Sequence, residues 1–363
     1  MPDGRLQRIL MTADTVGGVW SYVLELAGAL GARGIEVVLA AMGGEPSEKQ
    51  HAEAARLSNV LLFASDFRLE WMRDPWEDIE RSGQWLLDLA SRYRPDLVHL
   101  NSYGHGALPW GRPVVLTAHS CVLSWWAAVK GGDAPPAWDR YRQQVRRSVQ
   151  AADVLTAPSR AMLDAIDEHY GPGLPAYRAV ISNGRRMESR SGAQKEPFAL
   201  TAGRLWDDAK NARAVAGLAG RIPWPVYLAG ESAPFDGCRM LGRLSSDELA
   251  GWFARASIYV LPARYEPFGL SALEAALAGC ALVLGDIPSL REVWGDAAIY
   301  VSPDDPDQLA GSVNTLINDP LRRRGMALRA LTRARRYTPD RMCRGYLEAY
   351  DAAAATRGAA CVS

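Results

Sequence analysis

Cysteine is scarce and unpaired in this sequence, which removes two common ways of stabilising a protein. The five cysteines are odd in number, lie far apart and form no Cys-x-x-Cys pair. Disulfide frameworks and structural zinc sites both need cysteines in groups, so we predict neither. The pattern favours a reducing compartment.

Net charge and long apolar runs are also missing. The 41 basic and 41 acidic residues cancel, which argues against bulk binding of nucleic acid as the main task. No stretch approaches the roughly 20 apolar residues that span a bilayer. The first apolar run, Ile9 to Met11, has only the length of a strand, so we predict no signal peptide. We expect a cytoplasmic protein, with peripheral contact at the inner membrane face left open.

The apolar content of the chain is sufficient for more than one core. Apolar residues make up 48% and charged residues 23% of the 363 residues, as in a folded globular protein. A chain of this length suits two α/β domains of similar size.

Short apolar runs alternate with amphipathic segments along the first half, as in βα units. Strands this short and apolar are typical of a parallel sheet that is covered on both faces. The predicted strands are residues 8–12, 36–41, 59–63, 96–100, 113–117, 154–157 and 179–182. Helices are predicted at residues 20–30 and 85–93, the first of them entered through a Gly-Gly turn.

A polar segment, residues 183–197, is predicted to be an interdomain linker, and the alternation begins again after it. The second set of predicted strands is 198–202, 225–229, 258–261, 281–284 and 298–301. Helices are predicted at 246–254 and 271–278, followed by a helical tail at 321–355. The fold class is therefore α/β with two Rossmann-like domains, which we place at residues 1–185 and 186–338.

The strongest motif, Arg-Tyr-Glu-Pro-Phe-Gly-Leu-Ser-Ala-Leu-Glu, follows the predicted strand 258–261 and opens a helix. Glu266 falls in the loop and Glu274 about one turn into the helix, with seven residues between them. Gly269 lets a ligand approach the backbone at the start of the helix, where free N–H groups can hold a diphosphate. Two glutamates at this spacing also occur as solvated helix residues, but Pro-Phe-Gly between them favours a binding role.

This motif resembles the E-x7-E motif of family 4 glycosyltransferases, and the similarity continues through most of the chain. The resemblance implies the GT-B fold, in which two Rossmann-like domains face each other across a deep cleft. It implies an acceptor domain at 1–185, a donor domain at 186–338, and a last helix, 339–363, that crosses back to the first domain. It also implies that Glu266 contacts the donor sugar and Glu274 the nucleotide ribose. The further donor-binding residues at the helix start would be Phe268, Gly269, Leu270 and Ser271.

Arg204 and Lys210 lie six residues apart across a strand-to-helix turn in the second half, so both can converge on one diphosphate. Such a pair stabilises the growing negative charge of a leaving group. Surface cations are the alternative, but the spacing resembles the family's paired Arg and Lys, which implies the catalytic role. Asp207 and Asp208 suggest a metal site. Because GT-B enzymes use Arg and Lys for this task, we expect no metal and no cofactor.

Two weaker motifs lie in the first half. Gly17 and Gly18 enter a helix and are either a diphosphate contact or a tight turn without a ligand. His119 lies at the end of a predicted strand, where a histidine is more often structural than catalytic. The resemblance implies that both glycines face the donor and that His119 contacts the sugar near the reacting carbon.

Loops framing the nucleotide base are expected at Gly230 and Glu231 and at Gly242 and Arg243, again by resemblance. The segment Ile-Ser-Asn-Gly at 181–184 resembles the family's hinge. The family usually continues with a small residue and an aspartate, whereas this chain has two arginines, 185 and 186. No role is therefore inferred for a hinge aspartate.

The tail has a basic bias, with nine arginines and one acid between residues 321 and 346. This pattern is either a solvated helix face that offsets acidic surface elsewhere or a surface attracted to anionic lipid headgroups. Both interpretations stay open at this point.

Together these features predict a retaining transferase that moves a hexose from a UDP- or GDP-hexose to a glycan, lipid-linked or small-molecule acceptor, as in polysaccharide biosynthesis. Glu266 and His119 would hold the sugar, and the departing phosphate would take the acceptor's proton, by family analogy. One alternative is a sugar-nucleotide epimerase, which needs no acceptor site. Another is a silent sugar-nucleotide-binding subunit, whose expected signature is loss of Glu266, Arg204 or Lys210; all three are present.

Overall fold

The computed structural model describes residues 6–187 and 194–360, and the chain divides into two compact units. The first unit comprises the described residues of 1–127, 132–184 and 339–363, and the second those of 128–131 and 185–338. None of the described helices combines the length and apolar character needed to span a bilayer.

The first unit is a parallel sheet with helices between its strands. Its strands are β1 Arg8–Asp14, β2 Glu36–Met42, β3 Val60–Ala64, β4 Leu97–Leu100, β5 Val114–Thr117, β6 Val154–Ala157 and β7 Tyr177–Val180. The helices that follow in chain order are α1 Gly18–Gly31, α2 Glu48–Ala55, α3 Trp76–Tyr93, α4 Val122–Lys130, α5 Asp139–Ala151 and α6 Arg160–Tyr170. The strand order is β3-β2-β1-β4-β5-β6-β7, and all the pairings are parallel.

The second unit repeats this construction with a smaller sheet. Its strands are β8 Glu196–Ala202, β9 Val226–Ala229, β10 Arg239–Gly242, β11 Ala256–Leu261, β12 Ala281–Gly285 and β13 Ile299–Val301. Its helices are α7 Ala212–Ala216, α8 Ser246–Arg255, α9 Leu270–Leu277, α10 Pro288–Trp294, α11 Pro306–Asn318 and α12 Pro320–Ala334. The order is β10-β9-β8-β11-β12-β13, again with parallel pairings only.

The prediction of two α/β halves with buried parallel strands is confirmed, with several corrections to the elements. Helix α3 begins at Trp76, nine residues before the predicted start, and has acidic Glu77 and Asp78 in its first turn. The predicted strand at 179–182 is instead Tyr177–Val180. The predicted helical tail consists of two helices, α12 and α13 Pro339–Ala360, and the second begins at Pro339, where the resemblance places the start of the last helix.

Two further corrections concern segments that the sequence indicates weakly. Strand β10 was not predicted, because it has only four residues at a sheet edge and none of them is fully buried. The predicted linker at 183–197 overlaps β8, which begins at Glu196. Residues 188–193 of that segment lie outside the described residues.

Each sheet has one point where the direction of strand progression reverses. In the first unit the reversal lies between β1 and β4, and in the second between β8 and β11. Loops that leave the carboxyl ends of such strands diverge to opposite faces of the sheet and leave a crevice, the usual place for a ligand in an open α/β sheet. The topology therefore directs attention to the segments that follow these four strands.

Helix α13 belongs to the first unit and is held there by a buried polar network. It packs against α1, β5 and β6. The hydroxyl of Tyr350 lies 2.8 Å from Nδ1 of His99, whose Nε2 lies 2.8 Å from Oγ1 of Thr117. The hydroxyl of Tyr346 lies 3.2 Å from the same threonine oxygen. These buried polar groups are hydrogen-bonded to one another. The bonds fix the position of α13 along the sheet, in addition to its apolar packing.

We predict that His99 makes the protein acid-sensitive. Burial, and then the nearby His119, lower the pKa of His99 to about 3, so the unfolded chain binds a proton at this position before the folded chain does. Stability contributed by neutral His99 is present at neutral pH and is lost as pH falls below the ordinary histidine pKa towards about 3. As pH falls through this range, the free energy of unfolding should decrease more steeply in the unmodified chain than in a His99→Gln variant. The difference between the two slopes should be roughly 1.4 kcal/mol per pH unit.

Urea unfolding followed by tryptophan fluorescence, repeated from neutral to mildly acidic pH, measures this slope. The exposed His51→Gln variant is the control for the removal of a histidine. Equal slopes for the two variants would contradict the assignment.

Candidate active site

A buried ion pair lies at the reversal point of the second sheet. Lys210 follows β8 and Glu266 follows β11, and these strands are neighbours. The Nζ atom of Lys210 lies 2.5 Å from Oε2 of Glu266, and the two side chains are only 17% and 12% exposed. The topology thus brings together two of the residues for which the sequence predicts a catalytic role.

Asn211 holds the loops that carry this pair. Its backbone is left-handed, with φ of 55°, which ends the short 3-10 turn before it. Its Nδ2 donates to the carbonyl oxygens of Pro262, at 3.0 Å, and Pro303, at 2.7 Å. The N–H of Arg264 also donates to the carbonyl of Ala209 at 2.9 Å. The loop after β8 is therefore joined directly to the loops after β11 and β13.

Glu266 also organises the start of α9. Its Oε1 accepts a hydrogen bond from the N–H of Gly269 at 3.1 Å, and its carbonyl oxygen accepts one from Ser289 at 2.5 Å. Gly269 has φ of 90°, a conformation that favours glycine, and immediately precedes the helix. Leu270 and Ser271 are the first two residues of α9, where backbone N–H groups lack partners within the helix. An anion placed there would meet N–H donors and the positive end of the helix dipole.

The side chain of Phe268 is buried in the core and is not directed towards a ligand site. Its side chain is 2% exposed and packs at right angles to Tyr337, with ring centroids 5.4 Å apart. The side chain therefore anchors the loop to the core, and any contact with a sugar would come from its backbone, as the resemblance implies.

Glu274 is buried on α9 and paired with Arg185. The Nε atom of Arg185 lies 2.8 Å from Oε1 of Glu274, and the side chains are 17% and 14% exposed. Burial raises the pKa of Glu274, and Arg185 opposes this increase. Tyr259 connects the same region to β8, since its hydroxyl lies 2.7 Å from Ser271 Oγ and 3.2 Å from the carbonyl oxygen of Ala202. Arg185 is the residue that the sequence-based site prediction missed.

Arg204 lies in the same loop as Lys210 but has other contacts. Its guanidinium is 3.2 Å from Oδ2 of Asp207 and 5.6 Å from the centre of the Trp206 ring. The side chain is 37% exposed, and Trp206 is 55% exposed. Arg204 therefore remains at the surface of the loop, whereas Lys210 is directed inwards onto Glu266.

The residues predicted to frame the base meet at the carboxyl ends of β9 and β10. The N–H of Gly230 donates to the carbonyl of Gly242 at 2.8 Å, and Arg243 and Glu231 form an exposed ion pair at 3.9 Å. Gly230 has φ of 140°, and a Cβ atom there would lie 2.0 Å from the carbonyl oxygen of Gly203. This glycine is therefore required by close backbone packing, whatever it contacts in a ligand.

In the first unit, Gly17 and Gly18 lie where β1 leads into α1. The carboxylate of Asp14 accepts hydrogen bonds from the N–H groups of Val16, at 3.0 Å, and Gly17, at 2.9 Å. Gly17 precedes the helix with φ of −135°, which any residue can adopt, and Gly18 is its first residue. Here a carboxylate already uses the N–H of Gly17, which weakens the interpretation of that N–H as a diphosphate contact.

His119 follows β5 in the same unit and is fixed as a neutral ring. Its Nε2 lies 2.9 Å from Oδ1 of Asn101, and Nδ2 of that asparagine donates to the carbonyl of Thr12 at 2.7 Å. This orientation assigns the ring proton to Nε2 and leaves Nδ1 as an acceptor. The ring is partly exposed, yet its surroundings bury it enough to lower the pKa to about 3. A neutral acceptor of this kind suits a hydroxyl group.

Comparison with known proteins identifies the family of this chain. The family model Glycosyltransferase Family 4 matches residues 16–188, and the model Glycosyl transferases group 1 matches residues 219–333. The chain is 29% identical to glycogen synthase of Mycobacterium tuberculosis, with 86% of each chain covered. It is 25% identical to D-inositol 3-phosphate glycosyltransferase of Paenarthrobacter aurescens, with 93% of each covered. The chain belongs to glycosyltransferase family 4.

Solved structures similar to this glycosyltransferase show its fold. Sucrose-phosphate synthase from Thermosynechococcus elongatus superposes with a TM-score of 0.76 at 18% identity, covering 98% of this chain and 100% of the other. Anabaena HepE in complex with UDP and glucose gives 0.71 at 16% identity, covering 94% and 98%. At such low identity these likenesses show the fold alone, which is GT-B, as the sequence predicted.

We predict that Gly230 is needed for the fold of this glycosyltransferase, whatever its predicted contact with the nucleotide base. Gly230→Ala should lower the free energy of unfolding by several kcal/mol, because the added Cβ meets a backbone oxygen at 2.0 Å. Gly220→Ala is a matched control, since Gly220 has φ of 77° but no atom within 4 Å of the added Cβ. It should cost about 1 kcal/mol through backbone strain alone. Urea unfolding of both variants measures the difference, and equal losses would be inconsistent with this packing role.

Proposed function

We propose that this chain is a retaining, metal-independent hexosyltransferase that uses a nucleotide diphosphate hexose and a glycan, lipid-linked or small-molecule acceptor. The observation that supports the proposal most is the buried Lys210–Glu266 pair beside the start of α9. Here a cation and free backbone N–H groups suit a diphosphate, and a carboxylate suits sugar hydroxyls. The names of the relatives, a glycogen synthase and an inositol phosphate glycosyltransferase, agree with a transferase of this class.

The reaction would proceed with the following balance of bonds. The bond between the anomeric carbon and the diphosphate oxygen breaks, and Lys210, Arg204 and the free N–H groups at the start of α9 stabilise the negative charge that develops. The acceptor oxygen forms its bond to the anomeric carbon on the same face, so the configuration is retained. The proton of the acceptor hydroxyl passes to the departing phosphate oxygen, which needs no separate protein base. Glu266 orients the sugar, and His119 is proposed as a second sugar contact.

Glu274 would accept hydrogen bonds from the two hydroxyls of the nucleotide ribose. Such a role requires the ionised carboxylate, which burial disfavours and the guanidinium of Arg185 favours. We therefore assign Arg185 as a positioning residue that keeps Glu274 charged. The pairs Gly230–Glu231 and Gly242–Arg243 remain predicted neighbours of the base.

The first experiment is a thermal-shift series with UDP, GDP, ADP and dTDP and their hexose conjugates, with and without EDTA. A nucleotide present at a hundred times its dissociation constant stabilises by about 2.7 kcal/mol, which gives a shift of several degrees. One nucleotide series should stabilise the protein, and EDTA should leave the shift unchanged. Stabilisation by none of them would contradict the proposed donor site. Stabilisation without transfer to any acceptor would support a silent sugar-nucleotide-binding subunit. Interconversion of hexoses on the nucleotide without transfer would support an epimerase.

We expect Glu266→Gln to reduce turnover by about two to three orders of magnitude while the variant remains folded. Removing one preorganised electrostatic contact typically reduces kcat by about 10²–10³-fold. Donor hydrolysis and transfer to an acceptor panel, measured with the nucleotide identified above, give the rates. Glu196→Gln removes a carboxylate from an exposed ion pair with Arg255 in the same unit and should retain full activity. Full activity of Glu266→Gln would remove the proposed sugar contact.

We predict that Arg185→Gln weakens donor binding in a pH-dependent way. Without the guanidinium the pKa of Glu274 rises further, so a smaller fraction of the carboxyl is ionised at neutral pH. The dissociation constant of the nucleotide should increase by roughly tenfold, the value of a hydrogen bond to a charged group, and should recover as pH rises. Calorimetric titration with the nucleotide at neutral and at higher pH measures this dissociation constant.

The neighbouring Arg186 provides the control for this prediction. Its side chain is exposed, and an Arg186→Gln variant should bind the nucleotide as the unmodified chain does at every pH. Tighter, pH-independent binding by Arg185→Gln would mean that the arginine competes with the ribose instead of supporting Glu274.

A further inference from the structure

Helix α12 has an outer face that nothing in the proposed reaction uses. Residues 320–334 include no acidic side chain. The inner face of the helix packs on β12 and α9 through Met326, Ala330 and Ala334, which are at most 4% exposed. The opposite face therefore points away from the core of the second unit.

Two leucines lie along the middle of this outer face. Leu321 is 79% exposed and Leu328 is 65% exposed, the highest values among the large apolar side chains described as exposed. Seven residues apart, they lie two helical turns from each other and on the same side of the helix. Exposed leucines in such a row are typical of a surface that is covered by another apolar phase.

Arginines flank the leucines on both sides, and these arginines have no acidic partner within the part of the chain that the structure describes. They are Arg322, Arg324 and Arg329 on α12, and Arg335 and Arg336 in the turn that directly follows it. Two others of the same segment are used internally: Arg323 lies over the Trp224 ring at 4.9 Å, and Arg333 donates to the carbonyl of Val293 at 2.8 Å. The charge of the outer arginines is therefore not neutralised by an ion pair with an acidic side chain among the described residues.

We propose that the outer face of α12, defined by Leu321, Leu328 and the five flanking arginines, docks on an anionic lipid bilayer. A helix with leucines along its centre and arginines on both margins lies in the plane of a bilayer, with the leucines among the upper acyl chains and the guanidinium groups at the lipid phosphates. Nucleic acid would be attracted by the same charges but offers nothing to the leucines. In the first unit, by contrast, Arg140 and Arg142 pair with Glu80 and Asp139.

Vesicle co-sedimentation of the full chain tests the proposal. The chain should bind phosphatidylcholine vesicles that contain phosphatidylglycerol and should not bind vesicles of phosphatidylcholine alone, and added salt should weaken binding. Each arginine near such a surface contributes a factor of about five to the partition coefficient. An Arg324→Gln, Arg335→Gln double variant should therefore bind roughly 25-fold more weakly, and the corresponding double lysine variant should bind as the unmodified chain does.

The leucines distinguish a bilayer from a simple polyanion. Leu321→Ser with Leu328→Ser keeps every charge and should reduce vesicle binding by at least about tenfold. Leu61→Ser changes another exposed leucine, 44% exposed in the first unit, and should have no effect. Failure of the full chain to bind anionic vesicles would overturn the proposal. So would unchanged binding by the leucine variant, or equal binding to single-stranded RNA that depends on the arginines alone. Transfer from a soluble donor to a soluble acceptor should be unchanged in all these variants, so this result is independent of the proposed reaction.

Discussion

The second unit depends on one asparagine side chain that joins three loops. Asn211 donates to carbonyl oxygens after β11 and before α11, and it does so from a left-handed backbone position at the end of the loop after β8. Separate strands deliver these loops, and without such a connection each would find its own position. Because Asn211 directly follows Lys210, the same contact sets how far the lysine reaches towards Glu266. The geometry of the ion pair therefore depends on the hydrogen bonds from the Asn211 side chain to backbone carbonyls more than on the charges of the pair.

Stabilisation of the fold does not by itself account for the two buried ion pairs at this site. Removing charged groups from water costs several kcal/mol per ion, and well-packed apolar residues often stabilise a fold as well or better. Lys210–Glu266 and Arg185–Glu274 lie on consecutive parts of one element, the loop into α9 and α9 itself. Each contains a partly desolvated carboxylate, and that of Glu266 also accepts a hydrogen bond from the N–H of Gly269. Such an arrangement keeps charge available to a ligand without the need to reorganise water around it.

The sequence predicted the features that depend on residues close together in the chain. It could not predict contacts between residues that lie far apart in it. Apolar runs identified the strands, and the Glu266-to-Gly269 contact spans three residues, so the motif already contains it. Arg185 and Glu274 are separated by most of the second unit, and a departure from the family pattern was the one signal at Arg185. Similarly, Tyr350 reaches a histidine 251 residues earlier in the chain. Edge strand β10 was missed for a different reason, since a half-exposed strand of four residues lacks an apolar run.

The return of α13 to the first unit has a consequence for how the chain is made. The ribosome delivers residues 6–184 first, yet β5 and β6 are covered by a helix whose tyrosines emerge among the last residues. Until then His99 and Thr117 lack the hydroxyls of Tyr350 and Tyr346, and an apolar surface of the first unit stays open to water. The second unit, by contrast, is synthesised in full before α13. We infer that the unit synthesised first is completed last, so chaperones would meet it during translation with one side uncovered.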